Sequence, residues 1–163
     1  MKILSIITIN NNNLNGLAKT YYSINAYLKL NTIQWVVIDG NSTDGSVEFL
    51  RNLQLDKRHI IISENDLGIY DAMNKGVLSS NGDYSIFLNS GDIFCQGINI
   101  HKVLEYLNYN SDLILFGFKY KGISRFSRKA WWIYWSLPTS HQSIIYKHSI
   151  FNKHKFDLNY RYA

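Results

Sequence analysis

Two patterns of apolar residues alternate along the first 118 positions of the chain. Short unbroken runs, "KILSIITI", "QWVVID", "HIIIS", "YSIFL" and "DLILFGF", are rich in Ile and Val and have the length of strands. Between them apolar residues recur three or four positions apart, the spacing of one helical face. These are Leu14, Leu17, Tyr21, Ile24 and Leu28; Val47, Leu50 and Leu53; Ile69, Ala72, Met73, Gly76 and Val77; and Val103, Leu104 and Leu107. Strands apolar on both faces and separated by helices predict a mostly parallel sheet covered on both sides, an α/β fold. Stretches rich in breakers, "NNNN", "GNSTDGS", "ENDLG" and "SSNGD", mark the turns. After residue 118 the regularity weakens. "HQSIIYK" can form another strand, whereas "FDLNYRYA" carries no turn or capping signal. With no repeat and no second boundary, residues 1–118 read as an α/β core and residues 119–163 as a continuation of the same domain.

Composition fits that picture and narrows the class. The chain has 163 residues, 46% hydrophobic and 18% charged, which suits one globular domain with a sizeable core. Its single cysteine, Cys95, leaves no internal disulfide and no cysteine cluster for a metal, so a reducing, cytoplasmic setting is expected. No stretch approaches the ~18 consecutive apolar residues of a membrane-spanning helix. "ILSIITI" runs into asparagines without a small-residue cleavage site and reads as a strand rather than a leader. The net charge of +5 is uneven: residues 1–118 carry 8 Lys or Arg against 11 Asp or Glu, and residues 119–163 carry 9 against 1. Lys119, Lys121, Arg125, Arg128 and Lys129 directly precede "WWIYW". Such a segment, 119–135, suits nucleic acid, an anionic membrane face or a phosphorylated substrate, and equally a solvated basic loop beside core aromatics.

In an open α/β sheet, ligands gather outside the carboxyl ends of the strands. Four polar clusters fall there: Thr8 to Asn13, Asp39 to Ser46, Glu64 to Gly76, and Asn89 to Asp92. Asp39 ends a strand and is read as a binding residue, whereas Asp44 is well placed to cap a helix. Asp71 and Asn74, three apart on one helical face, can meet a common ligand, while Tyr70 and Met73 read as packing. Asn89, Ser90 and Gly91 can simply turn the chain. Asp92 can cap a helix or, beside a diphosphate, hold a divalent ion, because Mg²⁺ or Mn²⁺ held by one or two carboxylates completes its shell with phosphate oxygens and water. His141, in "TSHQS", is open between ligand contact and a core hydrogen bond; His59 and His101 read as structural or surface. There is no G-x-S-x-G, no G-x-x-x-x-G-K-[ST] and no G-x-G-x-x-G after the first strand, which argues against α/β-hydrolases, P-loop enzymes and ordinary dinucleotide dehydrogenases.

Taken in order, "LSIITINNNNLNGL", "WVVIDGNSTDGS", "ENDLGIYDAMNKG", "NGDYSIFLNSGD" and "SHQSIIYKHSIF" resemble the inverting glycosyltransferases of family 2. Among these the sequence looks most like bacterial polysaccharide-assembly enzymes of the colanic-acid type. The resemblance implies a GT-A fold and transfer of a sugar from a nucleotide-diphospho-sugar, with uridine expected, to a saccharide or lipid-linked acceptor, with inversion. It places Thr8 and Asn10 in the nucleobase pocket, Asp39 on the base and Asn41 near it. Asp71 and Asn74 would face the nucleotide-sugar. Asn89, Ser90 and Gly91 would line it too, and Asp92 would hold Mn²⁺ or Mg²⁺ where the family has an acidic x-D-D motif. Two departures stand out: Asn89 and Gly91 replace acidic residues at that strand end, and Asn11 stands where an aromatic residue is common. The resemblance further implies that residues 1–118 bind the donor and that 119–163 begin the acceptor side. The general base would then lie after Ala163, with His141 and Asp157 as weaker candidates within the chain. The implied partners are the donor and acceptor, a cytoplasmic membrane face through 119–135 and a second copy of the chain, but no nucleic acid. A donor-binding fragment or paralogue without turnover is the competing reading, and a nucleotidyltransferase on a related fold is a third, disfavoured by asparagines in place of a Gly-rich basic loop.

Overall fold

The computed structural model describes residues 2–129 and 139–159; "WWIYW", Pro138 and the last four residues lie outside it. Each of the first four apolar runs becomes a strand followed by a helix. These are β1 (Leu4–Asn10) and α1 (Leu14–Ile24), β2 (Ile33–Asp39) and α2 (Ser46–Arg51), β3 (Ile60–Ser63) and α3 (Ile69–Ser79), and β4 (Tyr84–Phe87) and α4 (Ile100–Tyr106). β5 (Leu113–Leu115), β6 (Phe118–Tyr120), β7 (Ile123–Arg125) and β8 (Ile144–Lys147) follow. One sheet has the order β3-β2-β1-β4-β8-β5. Its first four strands are mutually parallel, and β8 runs antiparallel between β4 and β5. Of "HQSIIYK", Ile144–Lys147 is therefore a strand that inserts into the sheet rather than extending it, and His141–Ser143 form a 3-10 turn before it. "DLILFGF", expected as one strand, breaks in two: β5 lies at the edge of the large sheet, and β6 pairs with β7 in a separate hairpin.

β1, β2 and β4 are buried throughout because both faces are covered. Leu4, Ile6, Trp35, Val37, Tyr84 and Ile86 pack under Leu17, Ile24, Leu50, Val103 and Leu104, residues of α1, α2 and α4. Ile7, Ile9, Val36, Ile38 and Phe87 meet Ala72, Met73 and Val77 of α3, together with Phe151. Gly76 brings α3 close to the sheet, since a Cβ there would overlap the Ile7 Cγ2 methyl and touch Ile38 Cγ1 at 3.4 Å. The register sets the carboxyl ends level: Asn10 pairs with Asp39, and Asp39 with Ser63. Because side chains alternate along a strand, Thr8 shares the face of Asn10 but lies two residues, or about 6.6 Å, deeper in the sheet.

Candidate functional site

The ends of β1, β2, β3 and β4 are joined by one chain of side-chain hydrogen bonds. Asn10 Nδ2 donates to Asp39 Oδ1 at 2.7 Å, and Ser42 Oγ donates to the same oxygen at 2.6 Å. The other oxygen, Oδ2, accepts from the Ser42 backbone N–H at 2.9 Å and from Ser63 Oγ at 2.8 Å. Ser90 Oγ, just past β4, donates to Asn10 Oδ1 at 2.7 Å. Burial pushes the Asp39 carboxyl up, but the hydrogen bonds from Ser42, Asn10 and Ser63 outweigh it and hold the group below its ordinary value. Asp39 is 0% exposed, and four donors fill its carboxylate. It acts here as the buried anchor of the loops.

The loops above this network are fixed in the same way. Asp44 serves two helices, accepting from Leu14 N at 2.7 Å and from Ser46 N at 3.1 Å, the first residues of α1 and α2. Hydrogen bonding from Ser46, through its side chain foremost, and from Leu14 N holds its carboxyl below the ordinary value. Each asparagine of the "NNNN" run bonds within the loops: Asn12 Oδ1 accepts from Thr43 N at 2.9 Å, and Asn13 caps α1 through Gly16 N while donating to Ser90 O at 3.2 Å. The exposed rim is formed by Asn41, whose Nδ2 donates to Asn65 Oδ1 at 3.2 Å, and by Asn11 and Asp66 around Gly40. A Cβ on Gly40 would come within 2.8 Å of Asp66 Oδ2 and 3.4 Å of Asn11 Cγ. The sequence reading missed Asn65 and Asp66 as rim residues.

The turn Asn89 to Asp92 sits where β1 and β4 diverge, and three groups shape it. Gly91 has φ +104°, a conformation that glycine adopts without strain. Thr20, fully buried on α1, accepts from Gly91 N at 3.0 Å and has its Oγ1 within 2.8 Å of Asp92 O and 3.2 Å of Asn89 O. On the other side the turn meets the loop before β8. Burial raises the Asp92 carboxyl, while a hydrogen bond from Gln142 and the nearby His141 pull it down only in part. Burial lowers His141, against the pull of Asp92. Asn89 Oδ1 is buried with no partner. A partly desolvated carboxylate within electrostatic reach of a neutral imidazole is chemistry that suits a divalent cation. No group of three or more His, Cys, Asp or Glu residues stands ready for a metal among the described residues, so a cation here would draw its remaining ligands from a substrate.

Three of the expected site residues take partners within the chain. Thr8 does not line a pocket: it is 0% exposed, donates to Leu88 O at 2.9 Å and accepts from Trp35 Nε1 at 2.9 Å, as its depth in the sheet requires. Asn74 does not face the strand ends. Its amide donates to Phe156 O and accepts from Phe156 N, both at 2.9 Å, so it clamps the C-terminal segment to α3 while Tyr70 stacks on Phe156 at 5.7 Å. Asp71 turns back on its own loop, accepting from Leu67 N at 3.0 Å and lying 3.3 Å from Lys75, which also pairs with Glu64 at 2.8 Å. The backbone bond from Leu67 is the main reason its carboxyl lies below the ordinary value. Asp157 is exposed and closes a turn with Asn159 N at 2.9 Å. His59 is structural, its Nδ1 accepting from Trp35 N at 3.0 Å.

Residues 5–160 match the family described as Glycosyl transferase family 2. The chain belongs to that family. Over 105 residues, 64% of this chain and 40% of the relative, it is 41% identical to an uncharacterized glycosyltransferase of Mycobacterium tuberculosis. Over 138 residues, 77% of this chain and 52% of the relative, it is 28% identical to a PGL/p-HBAD biosynthesis glycosyltransferase of Mycobacterium bovis. The chain thus spans about half the length of the curated relatives it matches. Its fold is that of the GT-A glycosyltransferases. S. aureus TarS 1–349 in complex with UDP superposes with a TM-score of 0.76 at 17% identity, covering 99% of this chain and 52% of TarS 1–349. The mannosyltransferase PcManGT of Pyrobaculum calidifontis, in complex with GDP-Man and Mn²⁺, superposes with a TM-score of 0.73 at 12% identity, covering 97% of this chain and 48% of the other.

Proposed function

We propose that this family 2 chain binds a nucleotide-diphospho-sugar, with uridine as the base, across the carboxyl ends of β2, β1 and β4. In this reading the sugar passes with inversion to a saccharide or lipid-linked acceptor in cell-surface polysaccharide assembly. The observation that carries this is the hydrogen-bond chain from Asp39 through Asn10 to Ser90. It spans the point where β1 feeds one side of the sheet and β4 the other, the crevice in which open α/β folds hold nucleotides. The base rests on the rim of Asn11, Asn41, Asn65 and Asp66, with Asp39 holding that rim from below. The diphosphate reaches the Asn89 to Asp92 turn.

A divalent cation fits that turn. Asp92 and His141 would hold it, with Asn89 Oδ1 as a further oxygen donor, and the diphosphate would complete the shell. Such an ion offsets the negative charge that grows on the departing nucleoside diphosphate. The Mn²⁺ and GDP-Man bound by PcManGT and the UDP bound by TarS support the reading. The chain's own groups prepare the site: Thr20 fixes the turn, Gly91 permits it, and Gln142 orients Asp92.

Titration calorimetry tests this directly. UDP is expected to bind more tightly with Mn²⁺ than with EDTA, and Asp92→Ala is expected to abolish that difference without changing the melting temperature. Equal UDP affinity with and without metal removes the cation from the account. Transfer and binding separate in a product assay: a chain that only holds the donor binds UDP-sugar yet yields no glycosylated acceptor.

A further inference from the structure

The β6–β7 hairpin has no place in the donor site and no part in the core. It does not pair with the six-stranded sheet, and every residue from Lys119 to Phe126 is exposed. An isolated two-stranded hairpin is marginal in water, so a sheet of this kind gains from a surface laid against one face. Its register makes the two faces unequal. Phe118 pairs with Arg125 and Tyr120 with Ile123, which puts these four side chains on one face, and Lys119 with Ser124 on the other. Tyr120 is 59% exposed and Ile123 61%, and Phe126, the next residue after β7, is 89% exposed. At the tip, Lys121 (φ +48°) and Gly122 (φ +79°) form the tight turn, and Lys121 Nζ sits 5.4 Å from the Tyr120 ring.

The charge carried by this stretch of the chain has a single sign. Residues 113–156 contain eight Lys or Arg and no Asp or Glu, whereas acidic residues prevail in the part that precedes them. We propose that β6–β7 is a docking hairpin for an anionic lipid bilayer, setting Tyr120, Ile123 and Phe126 into the headgroup layer while Lys119, Lys121 and Arg125 meet the lipid phosphates. Aliphatic and aromatic side chains ringed by long cations suit that boundary, since the apolar parts leave water while the charged ends stay in the headgroups. Ile123 offers a nucleic acid neither a hydrogen-bonding group nor an aromatic face for a base to stack on, whereas it leaves water readily in a bilayer, which favours the bilayer over a nucleic acid. None of the helices described is long and apolar enough to cross a membrane, and the hairpin itself needs to reach only the headgroup layer. The inference stands independently of the donor site, and it narrows the expectation for 119–135 to the hairpin within the described residues.

Vesicle sedimentation of the 163-residue chain tests it. The chain is expected to pellet with vesicles containing phosphatidylglycerol and to stay in the supernatant with phosphatidylcholine alone. In about 1 M salt, where screening shortens to roughly 3 Å, it is expected to be released. Lys119→Glu with Lys121→Glu is expected to lower the partition coefficient at least roughly tenfold, as reversing charges near an anionic surface should. Ile123→Ser with Phe126→Ser is expected to lower it by a similar factor. UDP affinity and melting temperature should not move in either variant, because these side chains are exposed. Failure to pellet at low salt overturns the proposal. Pelleting that neither double substitution weakens overturns it too, as does equal retention on single-stranded RNA that survives Ile123→Ser with Phe126→Ser.

Discussion

At the scale of single residues, the site rests on a carboxylate whose work is internal. Asp39 was legible in the sequence because it ends a strand of known register beside a breaker-rich turn, and the structure puts it at the centre of the strand-end network. What the sequence could not show is how many donors would crowd it. Thr20 escaped notice for a related reason: a threonine among Leu17, Tyr21 and Ile24 reads as part of an apolar stripe, and only the fold brings its hydroxyl to the Asn89 to Asp92 turn. Asp39→Asn keeps the shape but sets an amide N–H₂ against donors, so at neutral pH it is expected to cost about 1 to 3 kcal/mol of stability. The native carboxyl lies below its ordinary value of 3.8, so its contribution is complete above that pH and is lost as the pH falls through the lower folded-state value. Urea unfolding across a pH series should therefore show a shallower acid decline for Asp39→Asn than for the native chain. Parallel declines would mean that Asp39 does not carry this part of the acid sensitivity.

At the scale of elements, periodicity located the four α-helices among the described residues and the first four strands, because burial on one face of a helix or both faces of a strand leaves a pattern in the sequence itself. Orientation about a helix was less legible. Asp71 and Asn74, three apart on α3, take different partners: Asp71 accepts from Leu67 N in the preceding loop, and Asn74 bonds Phe156, 82 positions away. The hairpin went unread because "DLILFGF" continues an apolar run across Gly117; its signal was the Lys121-Gly122 pair between two short runs. Gly76, placed on the apolar stripe by its spacing, marks the close approach of α3 to β1. Gly76→Ala gains helix propensity, but it forces Ile7 or the helix to move, and overpacking of this kind costs about 1 to 3 kcal/mol. Thermal unfolding is expected to show a lowered midpoint. A raised midpoint would show that α3 can shift outward freely.

At the scale of the whole molecule, the sheet order brings together groups distant in sequence. Asp92 follows β4, while His141 and Gln142 precede β8, which inserts beside β4 and so delivers them to that turn. The antiparallel entry of β8 could not be read from its apolar run, because a strand's pattern does not state its direction. In the proposed function the donor site is assembled from the parallel half of the sheet and completed by a strand that returns against it. A crystal of the chain grown with UDP and Mn²⁺, measured at a wavelength where manganese scatters anomalously, tests that assembly most directly. The account predicts an anomalous peak joined to the Asp92 carboxylate, His141 and both phosphates, with the uracil on the rim of Asn41, Asn65 and Asp66. A UDP molecule bound away from the ends of β1, β2 and β4, or a manganese peak without Asp92 among its ligands, would contradict it.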